Sequence, residues 1–87
     1  MHESGLASGL IRQIESLARE HHAAQVTCVH LTVGALAPYS ADHLRGHMEI
    51  ASRGTLVEGA RLDIHLGENA RDPRAQQVSL DEIEIKS

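Results

Sequence analysis

Leu6, Leu10, Ile14, Leu17 and Ala18 recur at helical spacing, with Arg12, Glu15, Arg19 and Glu20 on the other side. The spacing predicts an amphipathic helix over Glu3 to about His21. Ser4 lies near its start, and His21-His22 fall in the last turn, where a helix end favours positive charge. Gln25 to Val33 is rich in β-branched residues and reads as a strand. Its alternation puts Val29, Leu31 and Val33 toward the core and Cys28, His30 and Thr32 outward. Ser40 is a good N-cap for a second helix reaching about Arg53, with Leu44, Met48 and Ile50/Ala51 inward and Gly54 as its stop. Glu58-Gly59 marks a turn in the short link to the next strand. Leu62, Ile64 and Leu66 alternate over Arg61 to Leu66, a half-buried strand. Gly67 to Gln77 is a polar loop, and Val78 to Lys86 is the last strand. The apolar positions of that strand change phase between Leu80 and Ile83, which a one-residue bulge near Asp81-Glu82 reconciles.

The order αβαββ suits an α+β two-layer sandwich, with two helices on a three-stranded mixed sheet. The first two strands, joined through a helix, should run parallel with a right-handed crossover. The last two, joined by a loop, should run antiparallel. Neither repeats nor low-complexity segments divide the chain, so residues 1–87 read as a single domain.

Composition narrows the function classes. The apolar share comes from Ala, Leu, Ile and Val, with no Phe or Trp and Tyr39 as the only tyrosine. A core of small aliphatics is thin, so a partner is expected, through homodimerisation or docking on another protein by way of the first helix and the N-terminal end. The net charge is −4 and Lys86 is the only lysine, which argues against nucleic acid and membrane surfaces. No apolar run approaches the roughly 20 residues of a membrane span, and no signal peptide is visible. Cys28 stands alone and cannot form an internal disulfide. A cytoplasmic location is the expectation.

The most specific chemistry lies at the start. In Met1-His2-Glu3, the α-amine of Met1 and the amide and imidazole nitrogens of His2 can close two chelate rings on one ion. Three nitrogens in a plane suit the tetragonal preference of Ni(II) or Cu(II). His2 is large, so the initiator Met should be retained. Other candidates are weaker. His43 and His47 stand at i,i+4, a spacing at which two imidazoles can share an ion, but Arg45 and Gly46 between them complete no metalloprotease motif. His30 and His65 lie on strand faces that should be solvated or paired, and Cys28 reads as a small semi-buried strand residue. A nucleophile elbow, a phosphate-cradling loop and a defined carboxylate pair are all missing, so an enzyme is not expected.

Four segments occur in a telling order: Met1-His2-Glu3 before a helix, Val26-Thr27-Cys28-Val29-His30-Leu31-Thr32-Val33-Gly34-Ala35-Leu36, Arg53-Gly54-Thr55-Leu56-Val57-Glu58-Gly59-Ala60, and Ile83-Glu84-Ile85. In this order and spacing the chain resembles the HypA/HybF family of nickel-insertion proteins, which serve nickel–iron hydrogenases and, in some organisms, urease. The resemblance covers nearly the whole chain. It implies the αβαββ fold and a nickel metallochaperone, with Ni(II) held by the Met1 amine and the His2 amide and ring, and Glu3 as an adjacent support. It also implies a cytoplasmic GTPase partner of nickel insertion, and docking on that GTPase and/or the hydrogenase large subunit is the expectation.

Two departures from the family pattern stand out. Members of the family carry a zinc subdomain between the last two strands, held by two Cys-x-x-Cys pairs. Here that place is taken by the eleven residues Gly67–Gln77, none of them Cys or His, so no structural zinc is expected. The chain is either a zinc-free relative or one from which the subdomain has been removed. An accessory or scaffold protein that kept the docking surface but lost metal delivery is therefore the alternative function. The second departure is Gly46 and His47, which occupy helix positions the family often fills with apolar residues, and Gly costs about 1 kcal/mol relative to Ala inside a helix.

Overall fold

The computed structural model describes residues 3–87. The element order is α1 (Glu3–Glu20), β1 (Gln25–Val33), α2 (Ala41–Ser52), β2 (Arg61–Leu66) and β3 (Val78–Lys86). The two helices pack on each other and on one face of a three-stranded sheet ordered β2-β1-β3, with α1 over β3 and α2 over β2. β1 is parallel to β2 and antiparallel to β3. This is the expected α+β two-layer sandwich. β2 and β3 run in opposite directions, as expected, but β1 separates them.

Each element has a local cause. On α1, Ala7, Leu10, Ile11, Ile14 and Ala18 form one buried seam at spacings of three and four. His22 ends that helix in the left-handed region, at φ 56°, while His21 Nδ1 lies 3.0 Å from the Leu17 carbonyl. Ser40 caps α2, its hydroxyl accepting from the His43 amide at 3.1 Å. Gly54 follows at φ 79° and Gly59 at φ 82°, conformations that favour glycine. The link between them is tied back to α1, because the Leu56 amide donates to Glu15 Oε2 at 3.1 Å.

The core joins that α1 seam to Leu44 and Met48 of α2, Val57, Leu62 and the inward residues of β1. Ile50 does not join it and is 62 % exposed. Two residues past Met48 on a helix is about 200° of rotation, which carries the side chain to the far face, while Ala51 falls beside the core. Leu66 is 65 % exposed, being the final residue of an edge strand.

The bulge expected near Asp81-Glu82 is present. His30 pairs with Glu82 and Leu31 with Leu80, leaving Asp81 as the extra residue of β3. A second irregularity sits in β1, where Val26 pairs with Ile85 and Cys28 with Glu84. Thr27 is the extra residue there, and the phase change lets Val26 face the core together with Val29.

The loop from β2 to β3 crosses the end of β1. Gly67 donates its amide to the Val33 carbonyl at 2.8 Å, and Gly34 and Leu36 donate to the Gln77 and Ala75 carbonyls at 2.9 and 2.7 Å. A Cβ at Gly34 would stand 2.2 Å from the Ala75 carbonyl oxygen, so the crossing requires glycine there. Among the described residues, no helix is long and apolar enough to cross a membrane.

Candidate metal centre

Of the tripeptide expected to bind nickel, Met1 and His2 lie outside the described residues, and Glu3 is the first residue of α1. The seam of α1 is buried from Ala7 onward. The other histidines fall in three places. His21 and His22 end α1, His43 and His47 lie on α2, and His30 and His65 stand on the sheet.

The sheet has one face under the helices and one open face. On the open face, the central strand presents Cys28, His30 and Thr32. The parallel register sets Arg61, Asp63 and His65 beside them on β2. The antiparallel register sets Glu84, Glu82 and Ser79 beside them on β3. Among the described residues, two groups of three side chains bring metal-type donor atoms within 4.8 Å of one another. Both include His30: one adds Cys28 and Glu84, the other Asp63 and His65.

His30 is held at both ring nitrogens. Nδ1 lies 3.1 Å from Asp63 Oδ2, and Nε2 lies 2.7 Å from Glu84 Oε2. The hydrogen bond to Glu84 raises the His30 pKa above its ordinary 6.5, against the opposing effect of partial burial, and the charges of Asp63, Glu82 and Glu84 add to the rise. His65 Nε2 approaches the same Asp63 oxygen at 3.6 Å. Cys28 Sγ is 3.6 Å from His30 Nε2. Although Cys28 faces outward as the alternation predicts, it is only 2 % exposed. Arg61 is its register partner, and its interaction with Cys28, together with the negative charge of Glu84, holds the guanidinium pKa above its usual value. Thr32 Oγ1 donates to Asp81 Oδ2 at 2.5 Å, so the bulge residue also serves this face.

A family model described as "Hydrogenase/urease nickel incorporation, metallochaperone, hypA" matches residues 1–84. The chain belongs to the HypA family. It is 44 % identical over 64 residues to the hydrogenase maturation factor HypA of Beijerinckia indica, covering 74 % of this chain and 57 % of that protein. The HypA of Archaeoglobus fulgidus is 39 % identical over 64 residues, covering 74 % of this chain and 58 % of that one. The chain thus spans a little over half the length of the curated HypA proteins it matches. Its fold is that of the solution structure of the Ni metallochaperone HypA from Helicobacter pylori, with a TM-score of 0.84 at 20 % identity, covering 100 % of this chain and 99 % of that one.

Sequence reasoning found the histidines of the sheet but not their grouping. His30 and Asp63 are far apart in the chain, and they meet only through the parallel register of β1 and β2. The signal available was the alternation of β2, which puts Asp63 and His65 on one face opposite Leu62 and Ile64.

Proposed function

We propose that this chain is a nickel metallochaperone domain of HypA type, which binds Ni(II) at its N-terminus and delivers it for maturation of nickel–iron hydrogenase. The observation that supports this reading is that the family match begins at residue 1, so Met1-His2-Glu3 falls inside it. In this reading the Met1 amine and the amide and ring nitrogens of His2 hold the ion, with Glu3 as an adjacent support. Binding displaces protons from these nitrogens, so release is favoured where protons return to them. The ion is cargo, and the chain acts as a carrier and not as an enzyme. Residues 1–87 form one nickel-binding domain in which loop 67–77 stands in place of a zinc subdomain, and no structural zinc is required.

The partners follow from the same reading: a GTPase of nickel insertion, the hydrogenase large subunit, or a second copy of the chain, all in the cytoplasm. Neither nucleic acid nor membrane is a partner, in keeping with a net charge of −4. The second reading, a HypA-like scaffold that docks without delivering metal, draws on the loop 67–77, which carries no Cys or His.

Nickel titration separates the two. The carrier should take up one Ni(II) with the absorption of a planar, nitrogen-bound ion, and His2→Ala should remove that signal. A chain that never develops it would be a scaffold.

A further inference from the structure

We propose that the open face of the sheet holds a second metal site, in which His30 Nδ1, Asp63 Oδ2 and His65 Nε2 bind a divalent first-row transition ion of the Zn(II) type. It is separate from the N-terminal chelate and does not rest on it.

The spacing of the donors comes first. Asp63 Oδ2 is 3.1 Å from His30 Nδ1 and 3.6 Å from His65 Nε2. Ligands bound tetrahedrally to zinc at about 2.0–2.1 Å stand roughly 3.4 Å apart, and the two observed separations bracket that value. Two imidazoles and one carboxylate are a zinc-type donor set with a fourth position left for water.

The surroundings of His30 supply the second observation. A metal-binding histidine usually gives its other ring N–H to a carboxylate, which fixes the tautomer and the ring orientation. Glu84 Oε2 stands 2.7 Å from His30 Nε2 and fills that role while Nδ1 faces Asp63. With Glu84 as the hydrogen-bond partner of Nε2, the group of His30, Asp63 and His65 is favoured over that of Cys28, His30 and Glu84, and an ion would take the place of the proton now shared between Nδ1 and Asp63.

Third, the ligands sit on rigid elements. His30 is on the central strand, with a side chain 20 % exposed, and Asp63 is its direct register partner. His65 is 63 % exposed at its side chain, so it gives the ion an entry from solvent. An open site of this kind takes up added metal without being needed for folding.

The test uses the full chain carrying His2→Ala, stripped with a chelator and titrated with Zn(II) by calorimetry, with thermal unfolding as a check on the fold. One equivalent should bind. Adding His65→Ala or Asp63→Asn should weaken it by at least about tenfold, and Glu84→Gln should weaken it by roughly 10–100-fold, the usual effect of losing a supporting carboxylate. Cys28→Ser should leave the affinity unchanged. Because His65 is exposed, its replacement reads the site and not the fold. A folded His65→Ala protein that binds zinc as tightly as its parent would overturn the proposal, as would loss of binding in folded Cys28→Ser.

Discussion

Glu84 reaches His30 diagonally across the β1–β3 ladder. Its register partner is Cys28, yet its carboxylate lies 2.7 Å from His30 Nε2. The contact joins the outer strand to the central one on the face the helices leave open, and it gives the protein a titration signature. In metal-free protein the His30 midpoint should lie above 6.5, and Glu84→Gln should move it down toward that value. Because the folded pKa is raised, the contact adds stability below about pH 6.5 and loses it as pH rises through the folded midpoint. The stability gap between the native chain and Glu84→Gln should therefore be wider near pH 6 than above the folded midpoint. NMR titration of the ring and denaturant unfolding at two pH values would check both parts.

Leu31 and Thr32 are neighbours on opposite faces of β1. Leu31 is fully buried, and Leu31→Ala should cost roughly 2–5 kcal/mol, the range for truncating a buried leucine. Thr32 is half-buried on the open face, and Thr32→Ala forfeits one hydrogen bond to Asp81, which contributes about 1 kcal/mol. Urea unfolding of the two variants should show clearly different midpoints, and equal midpoints would reverse the assignment of the faces.

Two glycines should respond to alanine with opposite signs. At Gly34 the new Cβ meets the backbone of Ala75 and Arg74, which has no room to yield without moving the loop, so Gly34→Ala should destabilise by roughly 1–3 kcal/mol. At Gly46, inside α2, a Cβ meets nothing within 4 Å, and Gly46→Ala should stabilise by about 0.5–1 kcal/mol through helix propensity alone. Thermal unfolding of the pair would show the contrast. The open space at Gly46 also means that this departure from the family pattern weakens α2 by propensity and not by a packing defect.

The helices and strands were legible because each carries its own period, and the bulge at Asp81 could be read because Leu80 and Ile83 are out of phase within one strand. The bulge at Thr27 was harder to see. Val26 and Val29 show the same kind of phase change, but Cys28 between them passes for either face. Ile50 beside Ala51 offered two apolar candidates for one inward position, and only helix rotation decided between them. Alternation places Asp63 and His65 on one face of β2, but their meeting with His30 could not be read, since a one-residue slip between β1 and β2 would have put different partners together.

The chemistry of the N-terminal chelate requires a free α-amine one residue ahead of a histidine. A single residue added before Met1 alters none of the 87 residues but moves the imidazole out of the second chelate position. Affinity of the native chain should also fall as pH drops through the ordinary amine and imidazole values of about 7.7–8.0 and 6.5. The decisive measurement is a Ni(II) titration of native and extended chains at one pH, read from the absorption of the planar nitrogen-bound ion. One equivalent of that planar signal is expected in the native chain, and its loss in the extended one. Equal affinity and the same spectrum in both would contradict it.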